Sequence, residues 1–318
     1  MYARVLVPLD GSPFAELVLP AAVALARHMG AGLELLRVHP YRPLDYTSGA
    51  DADEVRLDAR EEEDERAYVE EVAARFAAEG PPVIPRVVVH RSVATALAEE
   101  AAATPATLLV MTSHGRTGLR RSVVGSVADA VLRAVEVPLL LWRPAPDDDP
   151  APDRFERLLV PLDGSPFAEA VLPHALQLSA ADEARLTLVR VVQPVLDVME
   201  PVALMPFGIE GAGAAPAMAV VDRPATARAL VEARRYLAAV AARIRPKFPR
   251  VWIDVRAELA EDPGAALILA AAQAGADLVA MTTHARGVGR LFVGSTADQL
   301  LKGRHGATLL MHPQAIPA

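Results

Sequence analysis

"VPLDGSPFAE" runs from Val7 to Glu16 and is spelled again, letter for letter, from Val160 to Glu169. Aliphatic core positions drift, because cores tolerate swaps of similar volume. An identical decapeptide therefore marks a recent duplication or a turn whose residues are individually required. In both copies an apolar run stops at Pro-Leu-Asp, and Asp-Gly supplies a tight turn. Ser12 and Pro13 then read as the N-cap and first residue of a helix. A buried strand feeding directly into a helix is the opening unit of a parallel α/β sheet.

The repeat extends outward from this stretch. "RVLVPLDGSPFAELVLPAAVALA" pairs with "RLLVPLDGSPFAEAVLPHALQLS", and "LELLRVHP" with "LTLVRVVQP". "TLLVMTSHGRTGLRRSVVGSVADAVLRAVEVPLLLW" pairs with "DLVAMTTHARGVGRLFVGSTADQLLKGRHGATLLM". The chain is thus two tandem domains, 1–144 and a more degenerate 156–318. The Pro- and Asp-rich linker 145–155 between them reads as exposed and semi-rigid. In the first domain strands are expected at Arg4 to Leu9, Leu33 to Val38, Val83 to Val89, Leu108 to Thr112 and Val137 to Trp142. Helices follow Ser12 and Ser92 and cover Glu65 to Glu79 and Ser126 to Val135. The fold class is α/β: in each half, a five-stranded parallel sheet sandwiched by helices. The segments after the second strands, about 41–65 and 194–226, read as long surface loops; the acidic run of the first reads as a solvated helix start rather than a binding site, and the Gly-, Ala- and Met-rich second as a cover for a pocket or partner, or as disorder.

Composition narrows the function. The 318 residues suffice for two cores, and the net charge of -8 disfavours nucleic acid as a partner. The chain has no cysteine, which excludes disulfides and thiolate chemistry. The start reads as a strand, not a secretory signal, and no apolar run approaches the roughly 20 residues of a membrane span. A cytoplasmic protein is expected. Lysine occurs only at Lys247 and Lys302, neither in a P-loop.

Ligands of such sheets bind beyond the carboxyl ends of the strands, where the strand order reverses. Two segments can converge there: Pro8-Leu9-Asp10 and Thr112 to Ser126. Gly125-Ser126 precedes a helix whose unpaired N–H groups favour an anion, and glycine lets a phosphate approach the backbone. Ser126 with Asp129 has the spacing of a capping box, and a plain tight turn is the competing reading. Asp10 reads either as an ordinary Asp-Gly turn or as a carboxylate on a nucleoside. His114 and His284 recur in the loop without a visible orienting partner and read as loop-stabilising. Arg116, Arg120 and Arg121, with Arg286 and Arg290 in the second copy, face either phosphate or solvent. Ser12 and Ser165 lack the G-x-S-x-G elbow of a nucleophile. No histidine spacing suggests a protein metal site.

On these residues the chain resembles a tandem universal stress protein of the UspA superfamily. That family's nucleotide-binding members carry G-x2-G-x9-G-[S/T]. Here the pattern falls on Thr112, Gly115, Gly125 and Ser126, with only the first glycine replaced. The resemblance implies an adenine nucleotide alpha hydrolase-like fold and an adenine nucleotide: ATP, or AMP or ADP, with Mg2+ carried on the phosphates. It implies base and ribose contacts from Pro8, Leu9, Asp10, Val38 and Met111. Phosphate contacts would come from Gly115 and the backbone of Gly125, Ser126, Val127 and Ala128. In the second half it points to Pro161, Leu162, Asp163, Val191, Met281, Thr282, Gly294 and Ser295. There Ala285 replaces the second glycine and the following loop is one residue shorter, so the first half is expected to bind more tightly. The resemblance further implies that the last strands, Val137 to Leu141 and Thr308 to Met311, pair as an intramolecular pseudo-dimer, with a homo-dimer as the alternative. The implied role is a stress-response regulator acting through shape or an unknown protein partner. The rivals are a slow ATPase of the same fold and a scaffold with vestigial pockets.

Overall fold

The computed structural model describes residues 2–41, 52–113, 125–145, 149–179, 183–199, 218–283 and 294–312. The first half runs β1 (Arg4–Pro8), α1 (Pro13–Glu16), α2 (Leu19–Met29), β2 (Gly32–Pro40), α3 (Ala52–Phe76), β3 (Val83–His90), α4 (Val93–Ala103), β4 (Thr107–Thr112), α5 (Ser126–Ala134) and β5 (Leu139–Arg143). The second repeats the plan: β6 (Arg157–Pro161), α6 (Pro166–Glu169), α7 (Leu172–Leu178), β7 (Arg185–Val192), a small pair β8 (Leu196–Met199) and β9 (Met218–Val221), α8 (Arg223–Ile244), β10 (Trp252–Leu259), α9 (Pro263–Ala274), β11 (Leu278–Thr282), α10 (Ser295–Gly303) and β12 (Gly306–Met311).

The strands form one ten-stranded sheet in the order β10-β7-β6-β11-β12-β5-β4-β1-β2-β3. Within this sheet, pairing inside each half is parallel. The halves meet through β5 and β12, which pair antiparallel from Arg143 opposite Gly306 to Leu139 opposite Leu310. Val137 lies before the paired strand. Strand order reverses between β1 and β4, and again between β6 and β11. On one face a single buried cluster crosses the seam, joining Leu25 and Val72 to Trp142, Phe155, Leu237 and Met311. The two halves therefore share a core.

The decapeptide is explained side chain by side chain. Gly11 and Gly164 adopt φ of 82° and 97°, where L side chains are strained. Asp10 Oδ1 accepts from Ser12 N at 2.9 Å and Ser12 Oγ at 2.5 Å. Ser12 Oγ in turn caps α1 by accepting from Ala15 N at 3.2 Å. Glu16 accepts from Tyr68 Oη at 2.9 Å and from Arg75, tying α1 to α3. Asp163, Ser165 and Glu169 repeat every one of these bonds, with Tyr236 and Arg243 on α8. A structural requirement thus accounts for the repetition of Asp10 at Asp163 without any ligand.

Three expectations need correction. The segment 41–65 is not all loop, because α3 already begins at Ala52. Its acidic run is drawn onto the sheet: Glu65 receives Arg37 Nη2 at 2.5 Å and His39 Nδ1 at 2.9 Å, and Asp58 meets His39 Nε2 at 3.2 Å. The segment 194–226 contains the antiparallel β8–β9 pair and the start of α8, capped by Asp222 accepting from Ala225 N. Finally, Ser126 is not an N-cap. Gly125 takes that position; it has no side chain to cap with, and its N–H donates to Ser113 O at 2.8 Å. Asp129 pairs instead with Arg133 one turn on, at 2.9 Å. The second half shows the same departure: Gly294 precedes α10 uncapped, and Asp298 pairs with Lys302 at 2.8 Å.

Candidate functional site

Beyond the carboxyl ends of β6, β7 and β11 lies a cleft of about 680 Å³. Pro161, Leu162 and Asp163 line it from the β6 turn, Val191 from β7, Met281 and Thr282 from β11, and Gly294 and Ser295 from the start of α10. These eight residues therefore share one cavity at the point of strand reversal. Sequence reasoning missed Ala168, Val189, Gln193, Pro263, Leu267, Thr283, Thr296 and Ala297, which complete the wall. Val189 and Gln193 had a usable signal: they alternate with Val191 and so face the same side of β7. Gln193 Nε2 donates to Glu261 O at 2.9 Å, fixing its amide at the rim.

The floor is apolar and the rims are polar. Leu267 and Ala297 are buried, whereas Ser295 is exposed at the open end of α10. With no side-chain cap, the first N–H groups of α10 and their share of the helix dipole point at the cavity end of the helix. Gly294 holds φ -59° and ψ 151°, a conformation open to any residue. Among the described residues, a Cβ added there would meet nothing within 4 Å. Beyond glycine's ordinary suitability as an N-cap, neither a strained φ nor close packing among the described residues calls for glycine at Gly294. A group occupying the cleft would.

The first half is built on the same frame. Pro8 ends β1 and Leu9-Asp10 follow it; the neighbours of β1 in the sheet are β2 and β4. Val38, Met111 and Ala128 meet in one buried cluster, and Thr112 is 5% exposed at the end of β4. Gly125 has the backbone of Gly294, with φ -59° and ψ 152°. Ser126 and Val127 are exposed at the helix start. Gly115, His114, His284, Ala285 and the loop arginines Arg116, Arg120, Arg121, Arg286 and Arg290 lie outside the described residues. Behind the Asp10 turn, Arg37 Nη1 donates to Leu9 O at 3.4 Å while Glu65 grips the same guanidinium. In the second half Arg190 instead lies 5.3 Å above the Tyr236 ring.

The far ends of the two cleft helices are held across the seam. Arg143 at the end of β5 donates to Leu301 O at 2.8 Å and to Lys302 O, the closing carbonyls of α10. His312, just past β12, is 1% exposed. Its Nδ1 lies 3.0 Å from Thr283 Oγ1, and its buried Nε2 has no well-aligned partner and faces the backbone of Leu132 in α5. Burial lowers the His312 pKa, against smaller opposing pulls from Leu132 and Glu136. Burial likewise lowers that of Arg143.

Comparison with known proteins accords with this architecture. The universal stress protein family model matches residues 1–143 and again 154–307. The chain belongs to the universal stress protein family. A universal stress protein of Mycobacterium tuberculosis is 35% identical over 142 residues, and one of Mycobacterium bovis matches equally. That stretch is 45% of this chain and 46% of the relative, so the chain spans about half the length of the curated relatives it matches. The crystal structure of a universal stress protein from Archaeoglobus fulgidus superposes with a TM-score of 0.65 at 18% identity, covering 98% of this chain and 99% of that one. A putative universal stress protein from Pseudomonas aeruginosa gives 0.63 at 16% identity, covering 98% and 94%. These two likenesses show the fold. Among the described residues no helix is long and apolar enough to cross a membrane.

Proposed function

We propose that this universal stress protein binds adenine nucleotides, ATP or its less phosphorylated forms, in the clefts at its two strand-reversal points. The reading rests most on Gly294: a glycine at an uncapped helix start, lining a cavity, with neither a strained φ nor a close neighbour among the described residues. Phosphates would lie against the N–H groups of Ser295 to Ala297, and the base between Val191 and Met281. Asp163 would face the ribose from the β6 turn. Pro8 to Asp10, Val38, Met111, Thr112 and Gly125 to Ala128 would do the same in the first half, with Gly115. Magnesium would travel on the phosphates, its remaining sites open to water and to hydroxyls such as Ser295. The protein would act by changing shape or partner with nucleotide state, with turnover slow or absent.

Isothermal titration calorimetry with ATP, AMP and GTP tests this. Saturable binding of ATP or AMP in preference to GTP supports the reading. No heat and no competition from any adenine nucleotide at millimolar concentration refutes it.

A further inference from the structure

The net charge of -8 conceals a strong segregation. The helices α3 and α8 occupy equivalent places in the two halves, and their sequences have opposite sign. α3 carries the run Glu61 to Glu65 and then Glu70 and Glu71. α8 carries Arg223, Arg228, Arg234, Arg235 and Arg243, with Glu232 its one acid. Arg245, Lys247 and Arg250 extend the basic surface past its end, all exposed.

The outward faces match in spacing as well as sign. On α3 the exposed residues Asp64, Ala67 and Glu71 stand at i, i+3 and i+7, opposite the buried Val69, Val72 and Ala73. On α8 the exposed residues Arg228, Val231 and Arg235 stand at the same intervals, opposite the buried Ala233, Leu237 and Val240. Val231 is 66% exposed between the two arginines. None of Asp64, Glu71, Arg228 or Arg235 has an ion-pair partner among the described residues. Two turns of helix separate each like-charged pair, about 10.5 Å.

We infer that α3 of one chain docks on α8 of a second copy, Asp64 and Glu71 meeting Arg235 and Arg228 around Ala67 and Val231. The fold suits a closed pair. Val72 of α3 and Leu237 of α8 belong to one buried cluster, so both helices lie on the same face of the sheet. They flank its opposite edges, over β2–β3 and β7–β10. In a two-fold pair the same surfaces meet twice, each chain offering its α3 to the other's α8, and the charges match when the helices cross antiparallel. In that register Arg60, the basic residue one turn before Asp64, falls opposite Ala239, and Arg56 falls opposite Arg243, whose guanidinium Glu169 holds. The antiparallel β5–β12 contact is already used within the chain, so this association employs a different surface.

Sedimentation velocity on the full chain at micromolar concentration tests the inference. The parent should dimerise at about 20 mM salt and dissociate toward about 500 mM, because exposed ion pairs are screened. Arg228→Glu/Arg235→Glu and Asp64→Arg/Glu71→Arg should each be monomeric at low salt. An equimolar mixture of the two reversed proteins should dimerise again, since both contacts then carry opposite charges. Should a reversal misfold by circular dichroism, Arg228→Ala/Arg235→Ala must weaken dimerisation roughly tenfold or more. A parent monomeric at low salt, reversed variants that still dimerise alone, or a mixture that stays monomeric overturns the inference. So does a monomeric parent that binds single-stranded RNA through α8, which would make the basic face a polyanion site.

Discussion

Replacing Gly294 by valine separates what the protein needs from what a ligand needs. At φ -59° and ψ 151° valine is unstrained, and its Cβ meets no atom of the described residues within 4 Å. The fold should lose only the difference between glycine and valine at an N-cap, about 1 kcal/mol. Binding should suffer far more. The branched side chain would stand in the cleft before the N–H groups of Ser295 and Thr296. Hydrogen bonds to a charged group contribute about 1.5–3 kcal/mol each. Losing one or two costs about 2–5 kcal/mol, roughly 30-fold to several thousand-fold in affinity. Calorimetry with magnesium and ATP should therefore lose the second-half sites while urea unfolding shifts slightly. Gly125→Val should do the same to the first-half sites. Unchanged affinity in both variants would refute the phosphate cradle. A stability loss above about 3 kcal/mol would show that glycine serves the fold after all.

Arg143→Met should cost about 2–4 kcal/mol in urea unfolding, because two carbonyls closing α10 lose a cationic donor and relief of the buried guanidinium offsets only part; a loss below 1 kcal/mol would contradict that grip across the seam. His174 and His312 both have pKa values lowered by burial, the N-terminal amine adding to the effect at His174. Each favours the neutral imidazole in the folded state, so their contribution is complete above about pH 6.5 and is lost as pH falls below it. Stability measured from pH 7 to 5 should decline, and His174→Gln or His312→Gln should each flatten the slope by up to about 1.4 kcal/mol per pH unit. From the fuller glycine pattern of the first half, Asp10→Ala should remove most high-affinity ATP binding and Asp163→Ala little. Two equivalent sites, one lost with each mutant, would contradict that asymmetry.

The alternation of short apolar runs with capped helices was enough to place the paired five-stranded halves, because buried parallel strands are continuously apolar and Ser12 and Ser92 cap as their type predicts. What escaped was decided by partners distant in sequence. The acidic start of α3 reads as a solvated helix start until Arg37 and His39 on β2 are seen to hold Glu65 and Asp58 against the sheet. Ser126 reads as a cap until Ser113 O fixes the N–H of Gly125 one residue earlier. Identity of the two decapeptides suggested a ligand, yet Glu16 and Glu169 are held by Tyr68 and Tyr236 for reasons of packing. The cleft residues at the turns were legible from their local chemistry. Thr283 and the grip of Arg143 on α10 were not, since no local pattern brings them to the site.

The central claim is that the clefts hold adenine nucleotides. Native protein, purified without added nucleotide, can be desalted, denatured and its small molecules identified by mass spectrometry, beside a Gly125→Val/Gly294→Val control carried through the same steps. The account predicts ATP, ADP or AMP released from the parent in substoichiometric to stoichiometric amount, and none from the control. A parent that releases no adenine nucleotide and fails to take one up on overnight incubation with millimolar magnesium and ATP would contradict it.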